Sequence, residues 1–168
     1  MIAMIVFAFF LYFPYAWCRL RGESPSRYGL LWSLSSDAAR DVLLVSVVVL
    51  VPLTFVSTVF FPRYMHPQGM VFVLKGVLSG LAAAVAEETF FRGWLQTLLS
   101  ERMPALKSIL LASALFGLAH VFRGPVAMLA FFPGILMGVL RHRHSSVLPA
   151  ILFHWFGNIW SIWFYPQF

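Results

Sequence analysis

The chain has 168 residues, of which 61% are hydrophobic and 11% charged, far from the balance of a water-soluble domain. Its net charge is +6, but the cations are scattered between apolar runs and do not line one face, which excludes the usual nucleic-acid footprint. The single cysteine, Cys18, excludes an internal disulfide, a thiolate zinc cage and a Cys-x-x-Cys pair, so any metal would need His and carboxylate ligands.

Charged residues, Pro and Gly divide the chain into about six apolar segments of the length a bilayer requires, roughly 20 residues for a full crossing. Met1–Cys18 has no basic residue before it and no small-residue cleavage signal after it, so it is expected to be a retained helix and not a secretory signal. Arg19 to Arg40 is the one long connection, rich in Arg and Ser with Gly22 and Pro25; a surface loop with room for an interfacial helix is expected, and Ser35–Asp37 offers a helix start. Val42–Phe61 and Met70–Leu99 follow, separated by a Pro-rich connection that contains His66. Ser108–Phe122 and Val126–Leu140 are short and need protein neighbours or a thin bilayer, and Val147–Tyr165 closes the chain.

The expected fold is all-α, a polytopic membrane helix bundle with about six transmembrane helices. Residues 1–69 form N-terminal membrane helices with a basic loop at 19–40, residues 70–168 form a catalytic bundle, and together they make one membrane domain. Positive-inside counting places Arg19, Arg21, Arg27, Arg40, Arg102, Lys107, Arg141 and Arg143 on one side, with Arg63 and Arg123 opposite. An extracytoplasmic N-terminus follows. This arrangement leaves His120 near the outer end of its helix and Glu87 and His154 deeper, so a tilted, kinked or re-entrant helix is needed to bring them together.

Three polar interruptions of apolar helices carry chemistry. In the first, Glu87 and Glu88 stand side by side, each costing roughly 2.5–3.5 kcal/mol at a bilayer centre. Arg92, four residues on, shares the face of Glu88 and can neutralise it, whereas Glu87 points about 100° away and offers a desolvated carboxylate of the kind that serves as a general base. The second is Phe116-Gly-Leu-Ala-His120, whose small residues admit a neighbouring helix. The third is His154-Trp-Phe-Gly-Asn158, whose two polar groups project from one helix face. Each has a structural alternative: a Glu–Arg bracket between helices, an interfacial His, and cross-helix hydrogen bonding by His154 and Asn158. Convergence of the three from different helices is how bundle-core sites are built. His142 and His144, alternating with Arg141 and Arg143, are expected in a solvated polar turn, and Glu101 and Arg102 in a cap before Pro104.

Glu87-Glu88-x-x-x-Arg92, Phe116-x-x-x-His120 and His154-x-x-x-Asn158, intact and in this order, resemble the motifs of the CPBP family, which contains type II CAAX prenyl endopeptidases and bacterial Abi or bacteriocin-processing proteins. The resemblance covers roughly Met70 to Trp163. It implies a glutamate-dependent intramembrane endopeptidase in which Glu87 activates water with help from His120, while His154 and Asn158 stabilise the oxyanion and Glu88 and Arg92 support them. A membrane-anchored or C-terminal peptide substrate, contact with membrane lipid, a bacterial cytoplasmic membrane location, no nucleic acid and no cofactor are the accompanying expectations.

Two His and a Glu could instead form a three-ligand zinc site, although His-Glu-x-x-His is absent and the family resemblance favours a metal-free mechanism. A small transporter subunit that handles protons or cations through buried acids, and a non-catalytic assembly or immunity factor, are the other readings. Adjacent acids at one depth favour a single reaction centre over a proton path.

Overall fold

The protein is described by a computed structural model covering residues 2–62 and 68–164. Arg63 and His66 lie outside the described residues, as does Tyr165. Among the described residues there are six helical rods: α1 (Ile2–Arg21), α2 (Ser36–Phe60), α3 (Met70–Ser100), α4 (Ala105–Ala119), α5 (Phe131–His144) and α6 (Leu148–Phe164). Among the described residues, α1, α2, α3 and Val126–His144 are long and apolar enough to cross a membrane, whereas α4 has only 15 residues. The chain is an all-helical membrane bundle.

Helix starts follow local chemistry. Ser35 caps α2, its hydroxyl accepting from the Ala38 amide at 3.1 Å, so α2 begins at Ser36 and not at Val42 as hydropathy alone suggests. Midway along α3 the chain widens into a π segment, Thr89–Leu95. This i→i+5 winding changes the phase of the helix, and Glu88, Thr89, Phe91, Arg92 and Gly93 are all buried in succession. The same turn presents Phe90 and Trp94 to α1, where Phe10 stacks on Phe90 at 4.7 Å and Phe13 meets Trp94 edge-on at 4.9 Å.

Helices α3 and α6 run antiparallel and very close. Gly76, Gly80 and Ala84 recur every four residues along one face of α3. A Cβ added at Gly76 would lie 2.9 Å from Ile162 Cδ1, and one at Gly80 would lie 3.0 Å from Asn158 Cβ. Small residues at this spacing let helix backbones approach. Trp155 and Asn158 complete the contact by donating to the Val77 and Gly80 carbonyls at 2.9 and 3.0 Å.

Two expectations are corrected. The segment after α1 is not only a surface loop: Tyr28 and Leu30 are 1% and 5% exposed. Leu30 reaches Gly93 and the Gly29 carbonyl accepts from the Val147 amide at 2.8 Å. Nor are His142 and His144 both in a solvated turn, because α5 continues through His144. Helical phase turns Arg141 onto Thr97 Oγ1 (2.9 Å) and His144 onto Asp41 Oδ2 (3.1 Å), leaving His142 exposed.

Candidate active site

Helix α3 supplies Glu87, Glu88 and Arg92; α4 supplies Phe116 and, at its C-terminal cap, His120; α6 supplies His154 and Asn158. Their depths match because α4 is short. Its 15 residues rise about 22 Å, and Glu87 stands about 20 Å above the same end of α3. Past His120 the chain turns through two 3-10 segments, Val121–Arg123 and Pro125–Ala130, before α5 begins. The depth mismatch expected from the sequence is therefore resolved by a helix that stops halfway.

The site has a sealed inner layer and a less buried outer one. Glu88 and Arg92 are 0% exposed, whereas the side chains of Glu87, His120 and His154 retain 14%, 13% and 11% exposure. In the inner layer Arg92 Nη1 donates to Glu88 Oε1 and Arg92 Nε lies against Glu88 Oε2, both at 3.3 Å. Arg92 Nη2 donates to the Gly134 carbonyl at 3.1 Å, and the guanidinium lies 4.3 Å from the centre of the Phe116 ring. A buried charge demands this degree of compensation.

In the outer layer Glu87 Oε2 lies 3.6 Å from His120 Nε2 and 3.9 Å from His154 Nε2. Each imidazole is oriented from behind through its other nitrogen. His120 Nδ1 lies 2.8 Å from the Phe116 carbonyl, and His154 Nδ1 lies 2.8 Å from Glu88 Oε1. A peptide carbonyl only accepts, so the Nδ1 of His120 is the donor in its bond to Phe116. The Phe116 ring packs at 4.5 Å from His120 and edge-on to His154 at 5.7 Å.

Five of the expected residues thus converge: Glu87, Glu88, Arg92, His120 and His154. Asn158 stands one turn away on α6 with one amide hydrogen committed to the Gly80 carbonyl, the cross-helix bond that its sequence position also allows. Its second amide hydrogen remains to be used. Among the described residues no group of three or more His, Cys, Asp and Glu has the geometry to hold a metal ion.

A family model described as type II CAAX prenyl endopeptidase Rce1-like matches residues 68–160, more than half of the chain. The chain belongs to that family. Membership makes this Rce1-like protein, at the level of the family, a CAAX-type intramembrane protease and an integral membrane protein. The match runs from just before α3 into α6 and contains all three motifs. No curated protein and no solved structure matches the chain.

Residues outside the three motifs also tie into the inner layer of the Rce1-like protein. Gln96, one turn beyond Arg92, donates to the Gly138 carbonyl at 3.0 Å, as Arg92 does to Gly134. A Cβ at Gly134 would lie 3.0 Å from Arg92 Nη2, and one at Gly138 3.0 Å from Gln96 Oε1. Gly134-x-x-x-Gly138 and Gly76-x-x-x-Gly80 were both legible as small-residue spacings. What each pair faces was not.

Proposed function

We propose that the protein is a glutamic-type, metal-independent intramembrane endopeptidase that cleaves a membrane-anchored or C-terminal peptide segment. The observation that carries this reading is the convergence of Glu87 Oε2 with the Nε2 atoms of His120 and His154, from three helices, in the less buried layer of the polar cluster. A water held there meets a carboxylate that takes its proton, and the hydroxide attacks the scissile carbonyl. His120 steadies Glu87 and the water. His154, once protonated at Nε2, and the second amide hydrogen of Asn158 face the developing oxyanion; a single such donor contributes about 2.7–4 kcal/mol in other hydrolases.

The proposed setting is the bacterial cytoplasmic membrane, with the Arg-rich end of the bundle cytoplasmic. The test is cleavage of a membrane-anchored or C-terminally tagged peptide by the detergent-solubilised protein, compared with Glu87→Ala. The variant is expected to be inactive while unfolding like the parent; equal cleavage by both removes Glu87 as the base. Metal independence is tested by metal analysis after chelation: activity is expected to persist without stoichiometric zinc, and a zinc required for turnover overturns that part of the mechanism. Candidate substrates come from co-expression with proteins encoded nearby, followed by mass spectrometry of their termini.

A further inference from the structure

The two histidines facing Glu87 differ in what stands behind them. His120 leans on a neutral peptide carbonyl, while His154 leans on Glu88, a fully buried carboxylate paired with Arg92. A bond from imidazole to carboxylate is charge-assisted and strengthens when the ring becomes imidazolium, whereas a bond to a neutral carbonyl gains less. Resting on the peptidase reading above, we infer that Glu88 is a positioning residue. Through Nδ1 it fixes His154 in the tautomer that turns an unprotonated Nε2 toward Glu87, making His154 the ring that relays the proton.

The proton balance is complete without another reactant. Glu87 Oε2 takes a proton from water as the water oxygen bonds to the scissile carbon. The proton passes to His154 Nε2, 3.9 Å from Glu87 Oε2, and the resulting imidazolium holds the oxyanion. As the C–N bond breaks, Nε2 returns the proton to the leaving amine nitrogen. The products are a carboxylic acid and an amine, and Glu87 and His154 end as they began. Arg92, four residues from Glu88 on the same rod, pairs with its carboxylate at 3.3 Å.

The experiment is 15N NMR of the histidines in the full-length detergent-solubilised protein, with His154 assigned by comparison with His154→Gln. The parent is expected to show neutral His154 with its proton on Nδ1; a proton on Nε2 overturns the inference whatever the activity. In Glu88→Gln the Nε2–H form is expected to appear and kcat to fall on the order of 100-fold or more with KM little changed. Glu88→Asp is expected to retain the Nδ1–H form and recover part of the rate. A merely structural Glu88 lowers the folded yield of both variants without moving the tautomer, and that result also overturns the inference. Failure of the peptidase reading is separate: cleavage unaffected by Glu87→Ala refutes the reaction, while the tautomer measurement still decides the role of Glu88.

Discussion

A buried ion pair inside an apolar bundle is a poor choice for stability alone, since its Coulomb gain is largely spent on desolvation. Glu88 and Arg92 are both fully buried, and the consequence is testable residue by residue. Arg92→Met leaves the buried Glu88 without its guanidinium, and is expected to cost about 3–5 kcal/mol, read as a lowered unfolding midpoint in detergent. Replacing both, Glu88→Leu with Arg92→Met, is expected to recover much of that stability while cleavage stays lost. Recovery of both would mean that the pair serves packing only. The same contrast separates the two acids: Glu87 keeps 14% exposure and lies between two imidazoles, so Glu87→Gln is expected to spare the fold and abolish turnover.

Among the helical elements, the contact of α3 with α6 depends on glycines whose neighbours differ in kind. At Gly80 an added methyl meets Asn158 near its backbone, while at Gly76 it meets the flexible end of Ile162. Both alanine variants are expected to cost about 1–3 kcal/mol by overpacking, but Gly80→Ala also displaces Asn158 and should lower kcat far more than Gly76→Ala. Equal kcat in the two variants would remove Asn158 from the reaction. The loop between α1 and α2 has its own lock, in which Trp17 Nε1 donates to Tyr28, Tyr28 donates to Glu23, and Arg27 bridges Glu23 and Glu101 at 2.7 and 2.6 Å. The Tyr28 bond, with Arg21 and Arg27, holds the Glu23 carboxyl below its usual range, and burial together with Glu23 pushes the Tyr28 phenol up. A lowered carboxyl stabilises above the unfolded glutamate value, about 4.3, and loses its contribution as pH falls through the folded value. A raised phenol stabilises below about 10 and loses its contribution as pH rises through the folded value. Loop docking is therefore expected to be flat between these limits and to loosen beyond each, as followed by the unfolding midpoint across pH. Leu30→Ala, which empties the space against Gly93, is expected to cost about 2–5 kcal/mol.

At the scale of the whole molecule, contacts gather the basic residues at one end. Arg27 meets Glu101, Arg141 meets Thr97, Arg143 meets Asp41 at 2.9 Å, and Gly29 meets Val147. The connections 22–35, 101–104 and 145–147 therefore share one end of the bundle, and the Arg-rich end is expected to be cytoplasmic. A thiol introduced by Ser26→Cys should react with a membrane-impermeant maleimide only from the cytoplasmic side, while Cys18, 2% exposed, stays silent. Labelling from outside would invert the topology and leave the site geometry untouched.

By itself the sequence determined the solvent, the helical class and the polar residues of the site, because composition and helical spacing are local properties. Glu88 with Arg92, and the order of the three motifs, were legible for the same reason: they depend on neighbours a turn apart or on short patterns. Only the tertiary structure decided that His154 leans on Glu88, 66 residues away in sequence, that Asn158 is held by Gly80, and that Leu30 folds under α3. It also decided the π turn, where α1, α4 and α5 all pack on one stretch of α3. A polar group in an apolar bundle takes whichever partner the packing brings within reach, and no local pattern encodes that choice.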